Sequence, residues 1–295
     1  MADLAQGIPS ALTEGLGVRS ARPVAGGDIA RSFRLETDSG PLFLKTGDHP
    51  PELFLSEARG LEALREHAPA ELRVPEVVRG TGEGIVLEWI PEGSHPSEEP
   101  RLSARETEEE LGRGLAKLHR ASNSQFGGID GARTGYLGAV ETDLTPARTW
   151  PEFLFERRLR PLTRQAVDSG AMPSEALGLL DAVERRAEEI CGPEEKPALV
   201  HGDLWVGNRM VDGSGRSWLI DPAAFWGHRE ADLAMMQLFG GFGDAAFEAY
   251  EAENPPADGW RERIRWNQLT PLLVHAILFG GGYGNQALAV LREYA

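Results

Sequence analysis

The sequence holds one cysteine, Cys191, so it can form neither an intramolecular disulfide nor a multi-cysteine metal cage, and a reducing compartment is expected. Lysine is almost as scarce. Lys45, Lys117 and Lys196 are the only three, so any lysine with a chemical task is one of them. Basic residues are outnumbered, 30 against 46 acidic, and the net charge of −16 leaves no broad surface for neutralising phosphates; no nucleic-acid partner is expected. Long apolar runs are missing too. The longest, around Leu272 to Phe279, is short and carries His275, and the opening Met1-Ala-Asp-Leu-Ala-Gln-Gly has neither the basic nor the apolar region of a secretory signal. No membrane association and a cytoplasmic location are therefore expected. What remains is ordinary globular material: 295 residues, 41% hydrophobic and 26% charged, about two domain lengths with no internal repeat.

Up to about Pro91 the chain reads as short alternating runs punctuated by turns: Ala21-Arg-Pro-Val, Gly26-Gly27-Asp28, Ser32-Phe-Arg-Leu-Glu-Thr, Asp38-Ser-Gly40 and Pro41-Leu-Phe-Leu-Lys45. That pattern predicts a β-hairpin series. Pro50-Pro51-Glu52 opens one helix, with Leu53, Glu57, Leu61 and Leu64 at helical spacing, and Gly84-Ile-Val-Leu-Glu-Trp-Ile90 reads as a buried strand stopped by Pro91. From Pro96 the periodicity turns helical. Leu111, Leu115 and Leu118 share one face, the Glu106–Glu110 run reads as a solvated one, and further helices are expected near 150–166, 174–190, 231–250 and 260–279. Two strands interrupt them, at 208–211 and 217–220, joined by Asp212-Gly213-Ser214-Gly215 as a hairpin. The expected architecture is α+β and bilobal: residues 1–91 form a small antiparallel β lobe with one helix, and residues 92–295 a larger, mainly helical lobe.

The strongest chemical signal is Leu199-Val-His201-Gly-Asp203-Leu-Trp-Val-Gly-Asn208, followed by a hairpin that ends in Leu219-Ile220-Asp221. Antiparallel pairing places Asn208 roughly opposite Asp221, so two oxygen donors converge. Magnesium carried with a nucleotide takes one or two protein carboxylates and completes its shell with water and phosphate, which suits this pair. Asp203, one loop earlier, is free to orient a hydroxyl and accept its proton.

An Asp-x4-Asn loop with a second Asp after a hairpin resembles the catalytic and metal loops of the protein-kinase-like superfamily, with His-Gly-Asp pointing to its small-molecule branch. The resemblance implies Mg2+-ATP. It also implies roles upstream: Gly26 and Gly27 in a turn closing over phosphates, Lys45 contacting the α- and β-phosphates, Glu57 as its ion-pair partner, and Glu88-Trp89-Ile90 either as the hinge on which adenine lies or as a plain core strand. Asp232 resembles the aspartate that braces the catalytic loop, and His201, like His119, reads as a structural hydrogen-bonding histidine.

Pro222-Ala-Ala-Phe-Trp-Gly227-His228-Arg229-Glu230-Ala-Asp232 narrows the match. With His-Gly-Asp-Leu-Trp-x-Gly-Asn, Leu111-Gly-Arg-Gly-Leu-Ala-Lys-Leu-His119, Phe126-Gly127 and the stretch from Trp150 to Arg158, it resembles the fructosamine kinase (ketosamine 3-kinase) family over nearly the whole chain. That implies ATP-dependent phosphorylation of the 3-hydroxyl of small-molecule or protein-bound ketoamines (ribulosamines or fructosamines), followed by release of the amine. A kinase for an aminoglycoside or amino sugar, and a nucleotide-binding scaffold without turnover, are the alternatives. Trp205 either lies against the acceptor or packs into the lobe; His228, Arg229 and Glu230 either orient the ketose or, for the last two, form a buried ion pair. Asp28 stands in the glycine-loop region where some relatives carry an oxidisable cysteine, and the short stretch from Asp221 to Asp232 leaves no room for a long activation segment.

Overall fold

The computed structural model describes residues 7–24, 30–91 and 101–295; the turn with Gly26 and Gly27 lies outside the described residues. After a short helix α1 (Ser10–Thr13) come strands β1 (Ser20–Pro23), β2 (Arg31–Thr37) and β3 (Gly40–Thr46), helix α2 (Pro51–His67), then β4 (Leu72–Arg73), β5 (Val77–Thr81) and β6 (Gly84–Glu88). Five of these strands make one antiparallel sheet in the order β1-β2-β3-β6-β5. Its period-two pattern turns Phe33, Leu35, Leu44 and Val86 onto Leu12, while Lys45, level with Ser32 and Ile85, points to the opposite face. Helix α2 starts with Pro51 in its first turn, where a missing N–H costs nothing. Its buried stripe runs Leu53, Phe54, Glu57, Leu61, Leu64, so a carboxylate rides on the apolar face.

The rest of the chain is mainly helical. Helix α3 (Ala104–Leu118) opens with a reciprocal capping box between Ser103 and Glu106. A hairpin of β7 (Thr134–Leu137) and β8 (Val140–Asp143) follows, then α4 (Trp150–Glu152), which continues through a π-helical stretch, Phe153–Leu159, into α5 (Arg160–Asp168). Next come α6 (Glu175–Glu184), α7 (Ala187–Ile190), β9 (Ala198–Val200), the hairpin β10 (Arg209–Val211) and β11 (Ser217–Leu219), and β12 (Phe225–Gly227) antiparallel to β9. Helices α8 (Glu230–Leu238), α9 (Asp244–Glu253), α10 (Ile264–Asn267), α11 (Leu269–Phe279) and α12 (Tyr283–Tyr294) complete it.

Several expectations need correction. The single helix expected over 231–250 is two, because Gly240 and Gly241 take φ of +69° and +94° and break the ladder between α8 and α9. The helix expected over 174–190 is interrupted after Glu184, and the one over 260–279 begins at Ile264. The β7–β8 hairpin and α12 have no counterpart in the sequence reading. Nor is Glu106–Glu110 simply a solvated face: Glu108 lies 2.6 Å from Arg209 and accepts the Gly243 N–H at 2.9 Å, and Glu110 pairs with Arg216 at 3.2 Å. These carboxylates fasten α3 to the β10–β11 hairpin.

One core cluster joins distant parts of the chain: Leu61 and Leu64 of α2 and Leu72 of β4 pack with Leu111 and Leu115 of α3 and with Leu199, Leu204 and Leu219 around the His-Gly-Asp loop. β4 also adds in parallel to β11, with Leu72 level with Ser217. The His-Gly-Asp loop is thus held by leucines whose truncation each costs about 2–5 kcal/mol. Cys191 is buried and its thiol pushed up to about 12 by that burial, which leaves it unreactive. Among the described residues no helix is long and apolar enough to cross a membrane.

Candidate active site

The loop after β9 carries His201, Gly202 and Asp203. Gly202 sits at φ +80°, and a Cβ there would lie 2.2 Å from the Ala223 carbonyl oxygen, so His-Gly-Asp admits no side chain at its middle position. The loop is held from beneath. Buried Asp232 accepts the His201 amide at 2.7 Å and the Gly202 amide at 2.9 Å, and lies 3.1 Å from His119 Nε2; His119 Nδ1 is in turn 2.8 Å from the Tyr250 hydroxyl. Burial opposes the Asp232 charge, but these donors outweigh it and hold the carboxyl below its usual range. His201 is pinned at both ring nitrogens: Nδ1 accepts the Asp203 amide at 3.3 Å and Nε2 donates to the Ile220 carbonyl at 3.0 Å. Burial lowers its pKa, consistent with the neutral tautomer this pattern demands.

Asn208 ends a 3-10 turn, Val206–Asn208, and its amide nitrogen donates to Asp203 Oδ2 and to the Asp203 carbonyl, both at 2.9 Å, and to the Asp221 carbonyl at 3.4 Å. The register differs by one from the expected pairing. Arg209 is level with Leu219 and the Ile220 amide bonds to Asn208, because residues 212–216 form a five-residue connection gathered around the Asp212 carboxylate. Asp221 follows in the left-handed region, φ +50°, a conformation Asp tolerates better than most residues. Its carboxylate meets Lys45 Nζ at 3.2 Å, and Lys45 meets Glu57 at 2.9 Å. Burial works against the Lys45 charge, but Glu57 and Asp221 outweigh it and hold the ammonium well above the ordinary lysine range. Asp203 is pushed up to about 7, chiefly by burial, with Asp221 and Asp232 adding to it and the Asn208 hydrogen bond opposing.

The donor set suits a magnesium ion carried with phosphates. All three Asn208 hydrogen bonds leave from Nδ2, so its Oδ1 takes none from any described residue, and the Asp221 side chain is 36% exposed. Among the described residues no cluster of three or more His, Cys, Asp or Glu could hold an ion alone, so an ion held here would need phosphate and water to complete its shell. At the end of β6 the Glu88 amide is bonded to the Glu76 carbonyl at 2.9 Å, the Trp89 ring lies under the Arg34 guanidinium at 4.6 Å, and Ile90 is buried.

A model of the fructosamine kinase family matches residues 1–295. The chain belongs to that family. It is therefore a kinase, and ATP use comes with the family. It is 32% identical to the Arabidopsis thaliana protein-ribulosamine 3-kinase, chloroplastic, over 96% of this chain and 85% of that one. A fructosamine-3-kinase candidate from Thermobifida fusca, solved crystallographically, superposes with a TM-score of 0.85 at 35% identity, covering 97% of each chain. The fold extends further, to an aminoglycoside phosphotransferase in a ternary complex with ADP and hygromycin B: TM-score 0.58, 18% identity, 96% of this chain and 97% of that one.

The three residues named for the acceptor from the Gly-His-Arg-Glu segment are not brought to the cleft. His228 is buried against Trp150, its rings 5.7 Å apart, and its Nδ1 accepts the Glu230 amide at 3.3 Å. Arg229 and Glu230 form two separate ion pairs rather than one between them: Arg229 is bidentate to Glu195 at 2.7 Å, and Glu230 is bidentate to Arg263 at 2.6 and 2.9 Å. Neighbours on a helix start point apart and each finds its own partner. Trp205 by contrast is exposed, set edge-on to Phe239 at 6.0 Å, and Phe239 lies 5.0 Å from His275. Phe239 was not singled out in the sequence, since only the α8–α9 break brings it beside Trp205.

Proposed function

We propose that this chain phosphorylates the 3-hydroxyl of ketoamine adducts with Mg2+-ATP, with Asp203 as the base. The observation that carries the reading is the continuous chain of contacts from Glu57 through Lys45 to Asp221, and from Asp221 through Asn208 to Asp203, drawn from segments otherwise far apart. Lys45 neutralises phosphate oxygens, with Glu57 fixing its position. Asn208 Oδ1 and the Asp221 carboxylate hold magnesium, which when bound offsets the charge of the phosphates. The Glu88 carbonyl and Ile90 amide meet the adenine edge, and the nucleotide lies between residues 1–91 and 92–295, read as two lobes.

Asp203 orients the acceptor hydroxyl, whose oxygen forms a bond to the γ-phosphorus as the bond to the β,γ-bridging oxygen breaks. ADP leaves, and the hydroxyl proton passes to the Asp203 carboxylate. A carboxyl poised near 7 suits a base working at neutral pH. Trp205 and Phe239 give the acceptor an apolar wall. The ketoamine substrate follows from the names of the relatives, and the unstable 3-phosphate then releases the amine.

The test is ADP production from Mg2+-ATP with ribuloselysine, comparing wild type with Asp203→Asn and following the new sugar phosphate by phosphorus NMR. Turnover in the wild type that disappears in Asp203→Asn is expected. ATP binding without turnover on ketoamines defeats the substrate reading.

A further inference from the structure

Arg158 takes no part in the contacts described so far, and its setting is unusual for an arginine. It is 6% exposed, on the π-helical stretch between α4 and α5, a distortion that often marks functional positions. Its guanidinium lies 4.7 Å from the Phe225 ring and 5.3 Å from the Phe153 ring, and those rings stack on each other at 5.5 Å. Aromatic faces stabilise a cation but accept none of its five in-plane N–H bonds. No described residue accepts one. The carboxylate that acts on it from a distance, Asp143, is 3.8 Å from Arg157 instead. Burial lowers the Arg158 pKa to about 10, which still leaves a cation at neutral pH.

Two cavities meet at this side chain. Both are small hollows partly open to solvent: one reaches α2 at Ser56 and Arg59, the other reaches Gly202, Asn267 and Thr270. Tyr136, Thr142, Arg158 and Ala223 line both. The second cationic group there, Arg59, is already paired with Glu52 at 2.8 Å. A buried charge lacking a counter-charge and hydrogen-bond acceptors is costly, and a planar guanidinium fork matches a carboxylate or phosphate in bidentate fashion.

We propose that Arg158 anchors a binding pocket for a small oxyanion, a carboxylate or phosphate, with Thr142 supplying a hydroxyl beside it. The pocket is separate from the Lys45–Asp221 cleft yet touches it at three places: Gly202 precedes Asp203, Ala223 lies two residues beyond Asp221, and Ser56 adjoins Glu57 on α2. The oxyanion comes either from the acceptor, as the carboxylate of a ketoamine of a free amino acid, or from solution as a free anion. Only the first source rests on the ketoamine reading.

The first arm of the test needs no turnover. Protein loaded with Mg2+ and AMP-PNP, so that the nucleotide site is filled, is titrated calorimetrically with inorganic phosphate at ionic strength held constant by chloride. Saturable binding is expected, at least tenfold weaker in Arg158→Lys, which keeps the charge without the fork, and lost in Arg158→Met, with AMP-PNP affinity unchanged in both. The second arm compares KM for a ribulosyl amino acid with that for its carboxamide. A rise of tenfold or more in Arg158→Met for the carboxylate alone, with phosphate competing against it, assigns the oxyanion to the acceptor. An equal effect of phosphate on both acceptors assigns it to solution. No saturable phosphate binding together with identical KM values in wild type and both variants overturns the pocket. Phosphate binding in a protein inactive on every ketoamine leaves the pocket standing and defeats the substrate reading instead.

Discussion

Lys45 and Asp221 are 176 residues apart in sequence and 3.2 Å apart in space, Nζ to Oδ1. Lys45 also holds Glu57, so one ammonium stands between two carboxylates from a strand, a helix and a hairpin end. Replacing Lys45 with Met leaves Glu57, only 7% exposed, without its counter-charge. A loss of about 3 kcal/mol is expected, the usual consequence of breaking a buried pair on one side. Denaturant titration measures it, and the double variant Lys45→Met/Glu57→Gln should recover most of the loss.

Asp203→Asn should lower kcat by about 10²–10⁴-fold, the range for losing a general base, with the ATP dissociation constant unchanged. Since the Asp203 carboxyl titrates at about 7, wild-type kcat/KM should fall about tenfold per pH unit below that value. A profile flat from pH 5 to 8 with a fully active Asn variant sinks the assignment.

The same raised pKa bears on stability. The folded state keeps the Asp203 proton to about 7 while the unfolded chain loses it near the ordinary value of ~4, so ionisation across that window destabilises the fold as pH rises. Asp203→Asn escapes this. Its melting temperature should exceed the wild-type value at pH 8, and the difference should close by pH 4.

Trp205→Ala should raise the acceptor KM while leaving the ATP KM unchanged, because the indole is exposed and set against Phe239. His228→Ala should do the reverse of what its sequence position suggests. The ring is packed under Trp150, so thermal stability falls and acceptor KM does not move.

The link from Asp221 to α8 is only a few residues long and is pinned by β12 pairing with β9. Unmodified protein from a heterologous host should therefore be active as purified. Dependence of kcat on a phosphorylating partner is the contrary outcome.

Much of the site was legible because its residues sit at fixed short spacings on one loop and one hairpin. His201, Gly202, Asp203, Asn208 and Asp221 could be set in order from local geometry alone, and the structure shifts that geometry by one pairing position. Lys45 and Glu57 were singled out through the resemblance to kinases, while the strand and helix patterns placed them only on β3 and on the buried stripe of α2. His228, Arg229 and Glu230 misled because polarity in sequence does not say whether a side chain faces a cleft or a buried partner; Glu195 and Arg263 lie over thirty residues from them and leave no local trace.

The sequence by itself determined the class of chain, its succession of strands and helices, and the chemistry of the His-Gly-Asp loop, since these depend on residue types at short range. The tertiary structure decided which polar groups meet: that His119 and Tyr250 back the Asp232 carboxylate beneath the His-Gly-Asp loop, that Glu108 and Glu110 fasten α3 to the hairpin, and that buried Arg158 finds no acceptor among the described residues. Such contacts form between segments brought together by packing of the leucine core, and no spacing along the chain encodes them.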